Sequence, residues 1–357
     1  MFPRLCIYPS RLYHNATLLN SIASQQGMSI VAITKCVCAD IQIASQFVQA
    51  GIKTLGDSRL ENLQRLRKHF GPAVELMLVR LPSISQAKEV VHTADISLIT
   101  EISTAKALNN AAKKLNTIHK LVLMVDVGDR REGLFGELHV FNFITQIKSL
   151  RHLKLIGIGA NLTCLSGVLP STKNLSLLSN LSAQIEKQLG YKISVVSTGG
   201  SSSVPLLMDK CLPKGINQLR VGCSLLLGRT TGQGDPIKGF QKDSFILEAE
   251  IIELQDKPSF PEGDIGRDAF GRVPEFNDIG IRKRAILAVG MQDITTRVIC
   301  MDKDVYIIGA SSDHLVVDVT DSTKHYSVGG VMQFQLHYAA LVSAFTSQYV
   351  QKDYFKV

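Results

Sequence analysis

Residues 119–133 read HKLVLMVDVGDRREG. Five consecutive apolar residues, Leu121 to Val125, end at Asp126, and two glycines then flank the pair Arg130 and Arg131. So short an apolar run predicts a strand buried on both faces, because a helix at the same burial would be longer. The plan recurs along the chain. Residues 29–35 (SIVAITK), 53–57 (KTLGD), 75–81 (ELMLVRL), 95–100 (DISLIT), 154–161 (KLIGIGAN), 192–198 (KISVVST) and 217–223 (NQLRVGC) are short and mostly apolar. That makes eight strands. Helical spacing fills the intervals at residues 41–50, 101–115, 134–150 and 171–189. A further helix begins at Leu60, with Asp57 or Ser58 as its cap and Glu61 in its first turn. Eight β-then-α units predict a closed (β/α)₈ barrel of the TIM type. An open doubly wound sheet is the alternative, and the lack of a dinucleotide fingerprint favours closure.

Beyond residue 239 the texture changes. Pro258, Pro261 and Pro274, with Gly263, Gly266 and Gly271, interrupt residues 257–280. Strand-like runs follow at 245–254, 285–290, 304–309 and 315–319, with a helix over 336–349. The expected organisation is an α/β barrel over residues 9–239 and a mostly β domain over 240–357. Residues 5–8 would add a strand to the latter, so residues 1–8 are counted with it. A chain of 357 residues holds about two domains at roughly 150 residues each.

Composition narrows the function. Apolar residues are 45% and charged residues 20% of the chain, which excludes wholesale disorder. No apolar run reaches the ~18 residues of a membrane span, so no membrane association is expected. The start, MFPRLCIYPSRLYHN, lacks a signal-peptide core. Seven cysteines, an odd number, point to reduced thiols and a cytoplasmic setting. The net charge of +8 is dispersed, as at Lys113-Lys114 and Arg282-Lys283-Arg284, without aromatic interleaving. A solvated basic surface is therefore expected, not a nucleic-acid interface.

Barrel active sites lie where strands end and βα loops begin. The first strand ends in Thr34-Lys35-Cys36, and an amine at the barrel mouth is a Schiff-base former. The seventh ends in Ser197-Thr198-Gly199-Gly200-Ser201-Ser202-Ser203, whose backbone N–H groups and hydroxyls make an anion cradle at a strand-to-helix turn. The eighth supplies Arg220-Val221-Gly222-Cys223. Arg59, Arg80, Arg130 and Arg131 bring further cations to the same end. A lysine, a phosphate cradle and convergent arginines together imply pyridoxal 5′-phosphate.

In this order and spacing, the motifs resemble the alanine-racemase family of fold-type III pyridoxal-phosphate enzymes. TKCVCAD after the first strand, GDSRLENL after the second, MVDVGDRREG and AVGMQDI resemble its ornithine- and lysine-type amino-acid racemase branch. The likeness spans essentially the whole chain, including Gly309–Asp318 (GASSDHLVVD) in the β domain. It implies an isomerase that interconverts L- and D-amino acids, with a basic substrate such as ornithine or lysine. It implies Lys35 as the cofactor-bearing amine, Arg131 at the phenolic oxygen, Arg220 at the pyridine nitrogen and Asn161 beside the ring. Ser201, backbone N–H groups of Gly222 and Cys223, and Tyr349 would hold the phosphate. It also implies a homodimer, with β-domain residues completing the partner's site.

The chain departs from the family at one decisive place. The tyrosine expected as second acid/base is replaced by Met291, which moves no proton. Racemisation through two bases needs a group on each face of the planar carbanion. Asp313 and His314 are the leading catalytic candidates, with Cys36, Cys38 and Asp293 also open. Asp129, Glu132 and Asp313 are candidates to meet a distal substrate ammonium. No metal is expected, because no His-x-Cys pair follows residue 240. A decarboxylase or aldolase on the same fold, and a non-catalytic cofactor-binding protein, stand as alternative readings.

Overall fold

The computed structural model describes residues 1–232 and 234–356. They form two compact units, Ser10–Gln241 and Met1–Pro9 with Lys242–Val357. The chain opens with β1 (Arg4–Ile7) and α1 (Pro9–Gln25). There follow β2 (Ser29–Ile33), α2 (Ile41–Gln49), β3 (Thr54–Asp57), α3 (Leu60–Phe70), β4 (Glu75–Leu78), α4 (Ala87–Thr93), β5 (Ile96–Ile99) and α5 (Ile102–Lys114). Next come β6 (His119–Met124), α6 (Glu137–Ile147), β7 (Leu153–Ala160), α7 (Thr172–Leu189), β8 (Val195–Gly199), α8 (Val204–Met208), β9 (Gln218–Val221) and α9 (Cys223–Leu227).

Strands β2 to β9 pair in parallel and in sequence order, and β9 returns to β2 through Ser29↔Gln218 to Ala32↔Val221. The (β/α)₈ barrel is closed. Its interior takes alternate residues of the strands, as the two-residue strand period requires. Val31 and Ile33, Ile96 and Leu98, and Val122 and Met124 form one buried cluster with Met77. Gly56 makes room for it, since a Cβ there would stand 2.7 Å from Ile33 Cδ1. An alternative open sheet is overturned by the β2–β9 pairing, which leaves the barrel wall without an edge.

Six of the eight barrel strands end one to three residues short of the runs expected, while β3 ends at Asp57 as expected and β8 runs one residue further, to Gly199. β2 stops at Ile33, and Lys35 opens a 3₁₀ turn, Lys35–Val37, instead of closing the strand. The cap of α3 also differs: the N-cap is Arg59, with no side-chain cap. Asp57 nevertheless serves the first turn from outside it, accepting from the Arg59 N–H at 2.9 Å and from Asn62 Nδ2 at 3.0 Å. By contrast, α2 is capped by Asp40, and α7 by a Ser171–Asn174 capping box with left-handed Gly190 at its end.

The second unit is built on a long strand, β10 (Phe245–Pro258). It continues with β11 (Ile281–Leu287), β12 (Val298–Cys300), β13 (Tyr306–Ala310), β14 (Leu315–Asp318), β15 (Val331–Leu336), α10 (Tyr338–Thr346) and β16 (Gln351–Tyr354). The order β12-β15-β10-β11-β14-β13 is antiparallel throughout, and β1 pairs with β10 and β16. A register shift between Ile251 and Glu253 lets one half of β10 pair with β15 and the other with β11. The helix expected over 336–349 is confined to Tyr338–Thr346, because the chain up to Leu336 is strand.

Candidate active site

The segments that follow the barrel strands at their C-terminal ends carry the expected groups. Lys35 leaves β2 through the turn Lys35–Val37, in which the Ala39 N–H returns to the Thr34 carbonyl at 3.2 Å. Thr34, which precedes it, is fully buried and donates through Oγ1 to Asp57 Oδ2 at 2.7 Å. Asp57 is thus the anchor of both the lysine turn and the start of α3. Burial pushes its carboxyl above the ordinary carboxylate range, against the pull of donors from Thr34, Arg59, Asn62 and Ser58.

The loop after β6 is shaped by Gly133, whose φ of +119° and lack of a side chain are both required. A Cβ there would lie 2.4 Å from the Asp126 nitrogen. Arg131 makes a bidentate pair with Glu132, one arm at 2.6 Å. Arg130 turns outward, pairing with Asp126 at 3.1 Å and covering the Phe135 ring at 4.2 Å. Asp129 is not free to meet a substrate ammonium. It is buried and accepts from the backbone N–H groups of Cys164, Leu165 and Ser166, fixing the loop after β7.

Arg220 rises from β9 into the barrel and is only 3% exposed. Its NH1 donates to Ser197 Oγ at 2.5 Å; its NH2 donates to the Ala160 carbonyl at 2.7 Å and to Asn161 Oδ1 at 2.9 Å. Two strand glycines clear its path. A Cβ on Gly159 would lie 2.9 Å from NH1, and one on Gly199 2.8 Å from NH2. Desolvation lowers the guanidinium to about 10, opposed by the charge of Glu132. Glu132 itself accepts from Asn161 Nδ2. Burial pushes the Cys164 thiol up, opposed by the charges of Arg131 and then Lys35.

The serine loop after β8 begins at Gly200, in the left-handed region with φ +92°, and its N–H is held by the Arg220 carbonyl at 2.9 Å. Ser201, Ser202 and Ser203 are all buried. Ser201 Oγ accepts the Ser224 N–H at 2.8 Å, which leaves its own proton to donate. Ser203 Oγ is bonded to Thr198 Oγ1 at 3.2 Å. Ser202 Oγ is buried with no hydrogen-bond partner. A buried hydroxyl without a partner calls for one. An anion beside these hydroxyls and the chain turn at Gly222 and Cys223 would supply it, so the residues fit the phosphate end of pyridoxal phosphate. Burial pushes the Cys223 thiol up to about 12, which keeps it protonated at neutral pH.

The barrel unit therefore carries Lys35, Arg131, Asn161, Ser201, Arg220, Gly222 and Cys223 at the C-terminal ends of its strands and in the segments that follow them. Asp313, His314 and Tyr349 belong to the other unit. Asp313 and His314 are exposed on the turn between β13 and β14, where Gln292 Nε2 donates to Asp313 Oδ1 at 3.0 Å. Met291 and Gln292 donate backbone N–H groups to the carbonyls of Ser311 and Ser312 in that same turn. Tyr349, between α10 and β16, is 65% exposed. Of the other acid/base candidates, Asp293 is buried and accepts from Ser347 Oγ at 2.8 Å. Cys36 is buried, which drives its thiol well above the ordinary thiol range. The roles of Asp57 as acceptor for Thr34 and of Ser197 as acceptor for Arg220, and the bond between Glu132 and Asn161, are not legible in the motifs. The signal available for the contacts of Arg220 and Asn161 is Gly159 in one strand and Gly199 in the next, each marking a close approach.

A model of the alanine racemase N-terminal domain matches residues 7–230. The chain belongs to the alanine racemase family. An ornithine racemase from Acetoanaerobium sticklandii is 41% identical over 354 residues, 99% of each protein. A lysine racemase from Thermotoga maritima is 38% identical over 355 residues, again 99% of each. In fold, the chain is similar to an alanine racemase from Bartonella henselae solved with covalently bound pyridoxal phosphate, with a TM-score of 0.75 at 17% identity over 99% of both chains. The family assignment drawn from the motifs and the barrel-plus-β architecture are both borne out.

Proposed function

We propose that this protein is a pyridoxal-phosphate-dependent racemase of basic amino acids, acting on ornithine or lysine. The observation that carries the reading is likeness without gaps in coverage. Two racemases named for basic amino acids align with 99% of this chain, including both units. The barrel geometry supports the cofactor, with a lysine at the mouth, a serine cradle holding an unpartnered hydroxyl, and a buried guanidinium between them in the wall.

When bound, pyridoxal phosphate supplies the conjugated ring that takes up the charge left when an amino acid's Cα–H bond breaks. The residues do the rest. Lys35 provides the primary amine, on a turn fixed by Thr34 and Asp57. Ser201, Ser202 and the N–H groups of Gly222 and Cys223 would hold the phosphate. Arg131 meets the phenolic oxygen, and Asn161 lies beside the ring. Arg220 presents an N–H to the pyridine nitrogen. A guanidinium gives no proton away, so Arg220 would act there as a fixed hydrogen-bond donor and not as an acid. Lys35 moves the proton on one face. Asp313 or His314, from the β unit of a second subunit, serves the other.

A homodimer follows from that division of labour. Large apolar side chains at Phe135 (63% exposed), Leu138 (70%) and Leu165 (67%) lie on the loops and helix flanking the barrel mouth, where a partner would cover them. Free cysteines throughout the described residues support a cytoplasmic setting. No helix among the described residues is long and apolar enough to cross a membrane.

The test is polarimetry with purified protein and pyridoxal phosphate. L-Ornithine and L-lysine should lose optical rotation to zero, with D-enantiomer appearing on a chiral column in equal amount. No loss with either amino acid, under conditions where the cofactor is bound, overturns the reading.

A further inference from the structure

We infer that Glu132 and Asn161 are positioning residues for Arg220, linked in series so that a carboxylate at the barrel mouth sets the orientation of a guanidinium buried in its wall. The inference rests on the reading of Arg220 as the group facing the cofactor's ring nitrogen.

The chain of contacts is continuous. Glu132 Oε1 accepts from Asn161 Nδ2, and Asn161 Oδ1 accepts from Arg220 NH2 at 2.9 Å. The amide is the only neutral member, and it has one face of each kind: its NH₂ meets the carboxylate and its carbonyl meets the cation. Reversed, it would set two donors against Arg220 and a carbonyl against Glu132. Its orientation is therefore fixed by charge at both ends. NH2 is further tied to the Ala160 carbonyl at 2.7 Å and NH1 to Ser197 Oγ at 2.5 Å. These bonds use three of the guanidinium's five N–H groups.

The carboxylate is needed on energetic grounds. Arg220 is desolvated among strands that offer it only neutral acceptors, Ser197, Ala160 and Asn161, and a buried cation without a counter-charge is strongly disfavoured. Glu132 supplies the opposite charge to Arg220 as well as to its neighbour Arg131. One carboxylate thus balances two arginines, the nearer by a bidentate pair and the deeper through an amide. Glu132 is committed to these partners, which argues against its serving as the contact for a substrate's distal ammonium.

The experiment compares the wild-type holoenzyme with Glu132→Gln, Asn161→Ser and the double variant. Glu132→Gln keeps the size and the hydrogen-bond acceptor but removes the charge. Three quantities are read: the position of the bound cofactor's visible absorption band, and kcat and KM for L-ornithine and L-lysine. Both single variants should move the band, because the group at the ring nitrogen changes, and should lower kcat by about 10- to 100-fold, the scale of a misplaced catalytic group. KM should stay within about threefold. Because the two residues act in series, the double variant should be no worse than the more damaged single one. A Glu132→Gln variant with the wild-type band and kcat but a raised KM overturns the inference and makes Glu132 a substrate contact. Additive losses in the double variant overturn it too. If Asn161→Ser does not fold, Asn161→Gln replaces it in the same comparison, because Glu132→Gln alone also disturbs Arg131. A wild-type enzyme that binds cofactor yet racemises neither amino acid would defeat the proposed function, while the band shift would still test the linkage.

Discussion

A methyl group placed on Gly199 would stand 1.8 Å from Asn161 Oδ1, closer than any non-bonded approach allows. The last residue of β8 and the first after β7 can therefore occupy adjacent strand ends only because one of them has no side chain. Asn161 in turn is bonded to Arg220, so the vacancy at Gly199 is part of the site.

Gly199→Ala is expected to fold with a loss of about 1–3 kcal/mol, the usual range for overpacking. Its cofactor affinity, measured by titrating the visible absorbance, should fall at least tenfold, since the amide and guanidinium must both move. Gly309→Ala is the control. A Cβ at Gly309 in β13 meets nothing within 4 Å, and that variant should bind cofactor as the wild type does. Equal behaviour of the two variants would refute the steric argument.

Lys35→Ala should abolish the covalent attachment of the cofactor. After borohydride reduction, the wild type should retain a chromophore through denaturation and gel filtration, and the variant should not. Mass spectrometry of the reduced wild type should place the added mass on the peptide containing Lys35. Modification at any other lysine would displace Lys35 from its role.

Asp57 joins Thr34, Arg59 and Asn62. Asp57→Ala leaves three donors without their acceptor and should cost about 2–4 kcal/mol in urea unfolding. Asp57→Asn keeps an acceptor and should be much milder. The pH dependence has a definite sign. Burial raises the folded carboxyl above its unfolded value, so the protonated form is favoured by folding. Its contribution is fully present below the unfolded value and is lost as pH rises through the folded one. Acidification from neutrality should therefore shift stability in favour of the wild type relative to Asp57→Asn, and a shift the other way would contradict the direction.

His119 opens β6 at the opposite end of the barrel strands, buried and bonded to Ser97 Oγ at 2.9 Å. Burial lowers its imidazole from about 6.5 to about 4. The unfolded chain takes up a proton that the folded one refuses, so stability is present above pH ~6.5 and lost as pH falls toward ~4. Between pH 7 and pH 5 the loss should be about 2 kcal/mol from this residue. Chemical denaturation of the wild type and His119→Gln at both pH values checks it, and equal slopes for the two proteins would count against a neutral buried imidazole.

Much of this was legible in the chain. The eight barrel strands are local runs of apolar residues, such as LVLMV at 121–125, and hydrophobic runs need no knowledge of their neighbours to be recognised. The weaker strands were not seen. Gln351–Tyr354 is polar and half-buried, and its pairing partner β1 lies at the other end of the chain. Val331–Leu336 does alternate, with Met332, Phe334 and Leu336 buried, but its apolar end merges into the helix that follows. The loop residues were recognised by type and misread by role. Asp129 looked available for a substrate and instead holds the loop after β7, because three N–H groups from residues 164–166 reach it only in the folded barrel.

By itself, then, the order of residues determined the repeated strand-and-helix plan, the count of eight units, and the placing of Lys35, Arg220 and the serine run at strand ends. Each of these is written in periodicity or in position along one segment. The pairing of β9 with β2 closed the barrel. Only the tertiary structure decided that Glu132 faces Asn161, that Asn161 faces Arg220, and that Asp57 anchors Thr34. Those pairs are separated by 29, 59 and 23 residues. They meet because parallel strands set the ends of distant segments side by side, where buried charge and hydrogen-bond donors must find their complements.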